Sequence, residues 1–271
     1  MITRTIPGSS EQLPLIGLGT WKTFDVAGTS QLDAREEVLR GFLKSGGQVV
    51  DTSPMYGRSE EVIGELRERI GLDTKLFLAT KVWTSGRDEG ILQMQSSMKK
   101  MRTGMVDLMQ VHNLVDWDTH LETMKRWKEE GAIRYVGVTH YQVKAFSQLE
   151  SIMKRRRVDF VQLPYSAAMR EAEKTLLPLA REQQIGVIVN RPFEEADLLR
   201  ATRSKPLPEW ASEIGCESWS ELLLKFIVSH PAVTCVIPAT SNREHLAQNM
   251  RAGEEPMPDE AMRERIAAAV Q

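Results

Sequence analysis

The chain has 271 residues, enough to bury one large core or two small ones. Its 41% hydrophobic and 27% charged residues are the balance of an ordinary globular protein, and a net charge of −2 gives no bulk attraction for nucleic acid or an anionic membrane. Only two cysteines, Cys216 and Cys235, are present, which excludes a disulfide scaffold and fits a reducing cytoplasm. The first residues, Met1-Ile2-Thr3-Arg4-Thr5-Ile6-Pro7, lack the apolar stretch of a signal peptide, and no apolar run reaches bilayer length. A cytoplasmic protein is the expectation.

In chain order, residues 2–6 and 11–14 flank the turn Pro7-Gly8-Ser9-Ser10 and read as a short hairpin. Ile16-Gly17-Leu18-Gly19 follows as a first core strand, its glycines implying close backbone approach. Residues 31–45 read as a helix closed by Ser45-Gly46-Gly47. Apolar strands are then expected at 48–51, 76–80, 107–111, 134–138, 159–162, 185–189 and 233–237. Amphipathic helices are expected between them at 59–69, 87–102, 117–130, 142–155, 172–183 and 218–229, and after the last strand at 242–252. Strand–helix alternation implies right-handed crossovers and a parallel sheet. Eight such units in one chain predict an α/β fold, a closed (β/α)8 TIM barrel. A doubly wound sheet would carry a Gly-x-Gly-x-x-Gly turn, and the sequence has none. No Pro/Ser/Gly-rich linker divides the chain, so residues 1–271 read as one domain. Residues 193–217 stand as a long insertion before the seventh helix. Residues 257–270 read as an extra outer helix, and the chain stops soon enough to leave any C-terminal flap over the mouth short or missing.

Three strands end on groups that carry chemistry. Val49-Val50 stops at Asp51, with Tyr56 just beyond on a loop marked by Pro54 and Gly57. Leu76 to Thr80 stops at Lys81, and Leu108 to Val111 stops at His112. Catalytic groups of a barrel sit at the C-terminal ends of its strands. A phenol is a poor acid at neutral pH, but an ammonium beside it stabilises the phenolate, and a carboxylate beside the ammonium keeps the latter charged despite burial. An imidazole can orient a carbonyl. The four together can protonate a carbonyl oxygen while hydride arrives at carbon, and the hydride requires a nicotinamide or flavin.

The motifs resemble those of the aldo-keto reductase family over nearly the whole chain. Gly17-Leu18-Gly19-Thr20-Trp21 resembles the first-strand motif, and Asp51-Thr52-Ser53-Pro54-Met55-Tyr56-Gly57 with Glu60-Glu61 the second. Thr80-Lys81-Val82-Trp83, Gln110-Val111-His112-Asn113 and Gly131 to Val138 follow in family order. The resemblance implies a catalytic tetrad of Asp51, Tyr56, Lys81 and His112, reducing aldehydes or ketones with NADP(H) bound across the barrel mouth. Thr139 and His140 stand where the family grips the carboxamide with Ser-Asn, and Gln162 matches a carboxamide-binding glutamine. Gly19, Thr20, Trp21 and Asp51 are expected to border the cofactor. Arg191, Pro192 and Phe193 match the pyrophosphate loop. Pro238, Ala239, Thr240, Ser241, Asn242 and Arg243 match the adenosine-phosphate segment, and Gln248 and Asn249 the adenine contacts.

Several positions depart from the family pattern. His140 replaces Asn, and Asn190 replaces an aromatic platform. Ala239 and His245 replace cations used on the 2′-phosphate, for which Arg243 can substitute. Glu194-Glu195-Ala196-Asp197 places three acids where the family often has Gly, which weakens anion binding unless they point away. NAD(H) therefore stays open as the cofactor. An accessory protein that binds cofactor without catalysis is the competing reading, and an intact tetrad argues against it.

Trp21 and Trp83 are expected to wall the substrate pocket with Tyr56 and His112, and a small carbonyl compound is the expected partner. Met94, Met98, Met101 and Met105 recur at core spacing. The basic run Lys154-Arg155-Arg156-Arg157 reads as a solvated helix end. No His or Cys spacing suggests a metal, and nothing advertises a dimer face, so a monomer is expected.

Overall fold

The computed structural model describes residues 1–155 and 158–270. A two-stranded antiparallel hairpin, β1 (Thr3–Thr5) and β2 (Gln12–Pro14), comes first, with Thr3 opposite Pro14. Eight parallel strands follow: β3 (Leu18–Gly19), β4 (Val49–Asp51), β5 (Phe77–Val82), β6 (Val106–His112), β7 (Ile133–Thr139), β8 (Phe160–Pro164), β9 (Gly186–Asn190) and β10 (Cys235–Val236). Each pairs with its sequence neighbour, in order from β3 to β10. Parallel bridges Ile16–Val236 and Gly19–Ala239 join the last strand to the first, so the sheet closes into the expected barrel. Gly19 is required at this closure, because a Cβ there would meet the Ile237 carbonyl oxygen at 2.7 Å.

The strand alternation sorts the core into two layers. Val49, Phe77, Ala79, Leu108, Phe160, Ile188, Cys235 and Ile237 form a cluster inside the barrel, together with Ile6 and Leu13 of the hairpin. Val50, Leu78, Met109, Val111, Val138, Val161, Val187 and Val236 belong to the outer cluster under the helices. The hairpin is thus a plug for the N-terminal end of the barrel. Each fully buried Val, Leu or Ile contributes on the order of 1.5–3 kcal/mol relative to an exposed one. Further up, the inward positions turn polar: Asp51, Lys81, Gln110, His112, Thr139 and Gln162 are all buried. The alternation that packs an apolar floor therefore also delivers a polar rim.

The outer helices are α1 (Thr29–Lys44), α2 (Ser59–Ile70), α3 (Arg87–Lys100), α4 (Trp117–Glu129), α5 (Phe146–Arg155), α6 (Leu176–Glu182), α7 (Asp197–Thr202), α8 (Trp219–Val228), α9 (Arg243–Arg251) and α10 (Glu260–Val270). Two differ from the sequence expectation. The helix expected from 142 begins as a 3-10 turn at Val143–Ala145, and the one expected from 172 begins as a 3-10 turn at Glu171–Lys174. Thr175 breaks the second at φ −139°. Pro178 then falls in the first turn of α6, where its missing N–H is no loss. The 193–217 insertion holds α7 and a 3-10 turn at Glu209–Ile214. The extra outer helix is α10, packed on α8 and fixed by Arg263, which bonds the Tyr165 hydroxyl at 2.7 Å and Glu173 at 3.0 Å. Met94 and Met101 are buried as their spacing suggested, but Met105 lies beyond the end of α3 and is exposed. Of the basic run, Lys154 pairs with Glu150 at 2.7 Å in the last turn of α5, while Arg156 and Arg157 lie outside the described residues.

Candidate active site

The four chemistry-bearing residues meet at the C-terminal end of β4, β5 and β6. Asp51 ends β4 and Lys81 sits one residue from the end of β5. The Lys81 side chain is fully buried, and its Nζ donates to Asp51 Oδ2 at 2.6 Å and to the Thr52 carbonyl at 2.7 Å. Nζ lies 5.1 Å from the centroid of the Tyr56 ring. The Tyr56 ring meets the His112 imidazole edge-on, with centroids 5.9 Å apart and planes at 84°. Gly57 follows at φ 60°, a left-handed conformation that glycine adopts freely, and the loop is tied down by the Arg58 N–H bonding Asp25 Oδ1 at 2.9 Å.

The electrostatics assign protonation states. Burial pushes the Lys81 ammonium down, but Asp51 and then Tyr56 outweigh it, and the net direction is up, so Lys81 stays charged. Burial raises the Tyr56 phenol above its ordinary value, and the Lys81 charge pulls against it without winning. Lys81 was expected to lower this group, and in the free protein burial is larger. The phenol is therefore protonated at neutral pH, as an acid must be before it acts. His112 is driven down to about 2 by burial and then by Lys81 and His140, so its imidazole is neutral.

A polar network that the motifs did not reveal surrounds the carboxylate. Asp51 Oδ1 accepts from Gln110 Nε2 at 3.1 Å and from Gln162 Nε2 at 2.8 Å. Gln162 Oε1 in turn accepts from Thr139 Oγ1 at 3.1 Å and Asn190 Nδ2 at 3.3 Å. The signal for Gln110 was present: it occupies an inward position of β6, two residues before His112, where the alternation otherwise wants an apolar side chain. With Lys81 included, three donors fix the Asp51 carboxylate in place.

The expected cofactor residues follow the ends of β3, β7, β9 and β10 around the mouth. Thr20 is buried and donates to the Asp51 carbonyl at 2.9 Å. Gln162 is enclosed with both amide ends engaged, so it can hold a ligand only by exchanging partners. His140 Nδ1 accepts the Gln142 N–H at 3.1 Å, and burial together with Lys144 keeps the ring neutral. Its proton is then on Nε2, and His140 offers a ligand one donor where Asn would offer donor and acceptor. Arg191, at φ 51°, stacks 5.7 Å from the Tyr141 ring centroid and reaches Glu195 at 3.4 Å. Pro192 is buried and Phe193 packs on the outer core. The Pro238 carbonyl takes the Gly19 N–H at 3.1 Å. Ala239, Ser241 and Arg243 are exposed, Arg243 lying 3.6 Å from Glu37, and Thr240 is buried. Gln248 accepts from Ser220 at 3.3 Å and Asn249 is buried, both on α9. Trp21 and Trp83, the expected pocket walls, stand exposed at the rim with Met55 and Tyr141.

Asn190 Oδ1 and Arg191 Nε, neighbours at the end of β9, are buried without a hydrogen-bond partner among the described residues. An acceptor beside a cation suits a carboxamide joined to a pyrophosphate. Among the described residues no cluster of His, Cys, Asp and Glu could hold a metal ion.

A closed parallel barrel carrying an ammonium, a carboxylate, a phenol and an imidazole at its mouth defines a barrel enzyme built for proton delivery. The chain belongs to the aldo/keto reductase family, whose model matches residues 15–269. It is 28% identical over 245 residues to the methylglyoxal reductase YeaE of Escherichia coli, covering 88% of this chain and 84% of that one. It is 30% identical to the aldo-keto reductase YhdN of Bacillus subtilis over 193 residues, 64% of this chain and 56% of the relative. Among solved structures, an aldo-keto reductase from Klebsiella pneumoniae in complex with NADPH superposes with a TM-score of 0.83 at 25% identity, over 99% of this chain and 95% of that one.

Proposed function

We propose that the protein reduces aldehydes and ketones to alcohols with NADP(H), using Tyr56 as the acid that protonates the carbonyl oxygen. The observation that carries this reading is the buried Lys81–Asp51 pair at 2.6 Å, set beneath the Tyr56 ring at the open end of the barrel. NADP(H), when bound, supplies the hydride. Tyr56 gives its phenolic proton to the oxygen as negative charge develops there. Lys81 stabilises the phenolate left behind, and Asp51, fixed by Gln110 and Gln162, keeps Lys81 charged in a dry site. His112 donates a hydrogen bond that orients the carbonyl. Thr139, His140 and Gln162 would hold the carboxamide, Arg191 to Phe193 the pyrophosphate, and Pro238 to Arg243 with Gln248 and Asn249 the adenosine end. Trp21 and Trp83 frame the entry with Met55, which favours carbonyl compounds with an apolar or aromatic body.

The whole chain, residues 1–271, acts in this reading as one domain, and as a monomer in the cytoplasm. Two buried free thiols, Cys216 and Cys235, support the reducing compartment. No helix among the described residues is long and apolar enough to cross a membrane. What favours catalysis over an accessory role is that Asp51, Tyr56, Lys81 and His112 lie together at one end of the barrel.

The test is Tyr56→Phe. Turnover of a small aldehyde should fall by about 10²–10⁴, while NADPH affinity, read from quenching of tryptophan fluorescence, stays within about 2-fold. Wild-type turnover in the variant would remove Tyr56 as the acid.

A further inference from the structure

We propose that Ser53 sets the tautomer of His112, fixing its proton on Nε2 so that the ring presents a hydrogen-bond donor to the mouth of the barrel. This deepens the reading of His112 as the group that orients the carbonyl, and it rests on that reading for its catalytic consequence.

The argument is one of satisfying buried groups. Ser53 is fully buried and His112 nearly so. Ser53 Oγ lies 3.0 Å from His112 Nδ1. The same oxygen accepts the Met55 N–H at 3.4 Å. Among the described residues the hydroxyl has no other partner, so its one hydrogen has a single acceptor in reach, Nδ1. Were Nδ1 protonated, it would donate to Oγ, and the Ser53 hydrogen would be left buried and unpaired. That arrangement wastes a donor with no compensating bond. With Nδ1 bare, every group is satisfied: Met55 N–H to Oγ, and Ser53 O–H to Nδ1. The ring proton then resides on Nε2, which has no protein partner among the described residues. Nε2 is also absent from the buried atoms that lack one, so it meets the open mouth.

Several features hold the pair in place. The Ser53 carbonyl accepts the Tyr56 N–H at 3.0 Å, so the turn that positions the phenol also positions the hydroxyl. Tyr56 packs edge-on against His112. Burial and the facing Lys81 keep the imidazole from taking a second proton. A neutral imidazole has two tautomers of similar intrinsic stability, and only one of them can donate to a carbonyl oxygen. The wrong one would present a lone pair to the carbonyl lone pairs. Ser53 is thus a positioning residue acting through His112.

The experiment is nitrogen NMR of the uniformly ¹⁵N-labelled full chain without cofactor, reading the His112 ring. The resonances are assigned by their loss in His112→Ala. The expected result is a protonated Nε2 and a bare Nδ1 in the wild type. Ser53→Ala should give a mixed tautomer signal, with kcat reduced about 2-fold, the fraction of rings lost to the wrong tautomer when two states of similar stability compete. NADPH affinity should not change. Ser53→Thr keeps the hydroxyl and should restore both signal and rate. A wild-type ring protonated on Nδ1 overturns the proposal, as does an unchanged tautomer in Ser53→Ala. Because the wild-type spectrum alone can overturn it, the proposal stays exposed even if a variant fails to fold. A tautomer that shifts in Ser53→Ala with no change in rate upholds Ser53 as the controlling group and instead removes His112 from the reaction.

Discussion

Lys81 keeps its charge in the driest part of the rim, and the pH behaviour of the enzyme follows from its neighbours. Tyr56 is raised above its ordinary value by burial, so it remains a proton donor past the usual phenol range near pH 10. His112 is neutral down to about pH 2. Neither group titrates between pH 6 and 9, so kcat/KM for carbonyl reduction should be flat across that range and fall only as the phenol ionises in strong alkali. An acid limb near pH 6.5 in kcat/KM would mean that a histidine of ordinary pKa controls the step. Glu60 makes a second residue-scale prediction. It is buried under the Lys81 strand, with Oε1 accepting from Thr80 at 2.6 Å and Oε2 lacking any partner among the described residues. Burial raises its carboxyl above the ordinary value, and the Thr80 hydrogen bond only partly offsets this. Such a group opposes folding as pH rises. The penalty is absent below the ordinary carboxylate pKa, grows between that value and the raised one, and is constant above. Glu60→Gln should therefore stabilise the fold by about 1 kcal/mol at pH 8 and leave it unchanged at pH 4. Urea unfolding at the two pH values checks this, and a larger gain at pH 4 would reverse the sign.

At the scale of the element, the link from β9 to α7 is the part of the rim most unlike a phosphate cradle. Arg191, Glu194, Glu195 and Ala196 all have left-handed backbone, with φ from 51° to 75°. Three of these are consecutive non-glycine residues, each held at a cost of about 1 kcal/mol or more by the surrounding structure. Side-chain ties hold the loop in place: Glu194 accepts from Ser166, Asp197 pairs with Arg200, and Glu195 sits 3.4 Å from Arg191. The acids thus do not all point away. Glu195 pairs with the cation that, in the proposed reading, would meet the pyrophosphate. The pair is partly exposed, so its worth is about 0–1 kcal/mol. Glu195→Gln should tighten NADPH and NADH alike by about 2–5-fold at low salt, and less at high salt. Arg243→Ala should weaken NADPH alone, because its place after β10 suits the 2′-phosphate that NADH lacks. Fluorescence titrations of the two cofactors separate the effects. Weaker binding in Glu195→Gln would show that Glu195 braces Arg191 rather than competing for it.

At the scale of the molecule, the barrel was legible from period and order. Seven apolar runs and the Ile16–Gly19 strand each landed within about two residues of a strand, because the strands are buried on both faces over most of their length and read as continuous apolar segments. Asp51, Lys81 and His112 were legible as the polar ends of such runs, and Tyr56 through the loop after Asp51. The bond from Gln110 to Asp51 and the Ser53–His112 bond were not, although Gln110 itself stands out as a polar residue at an inward position, since they depend on which inward side chains meet across strands, and one sequence carries no such pairing. The two broken helix starts were hidden because a 3-10 turn has nearly the same hydrophobic spacing as an α-helix. Barrel closure has a further consequence. The seam between β10 and β3 is short, resting on Gly17 N–H to Val236, Gly19 N–H to Pro238 and Val236 N–H to Leu15, whereas β6 and β7 pair in register from Val106–Ile133 to His112–Thr139. Local opening should begin at the shorter join, so these three amides should exchange with deuterium well before those of β6 and β7. Uniform protection around the barrel would contradict this. Pro238 to Arg243, proposed above to hold the adenosine end, leave the barrel at this same seam, so in that reading NADPH should slow exchange there more than elsewhere and raise the melting temperature by mass action. In this molecule the coenzyme would serve as the clasp of its own container, and the empty enzyme would loosen first along the line where its cofactor belongs.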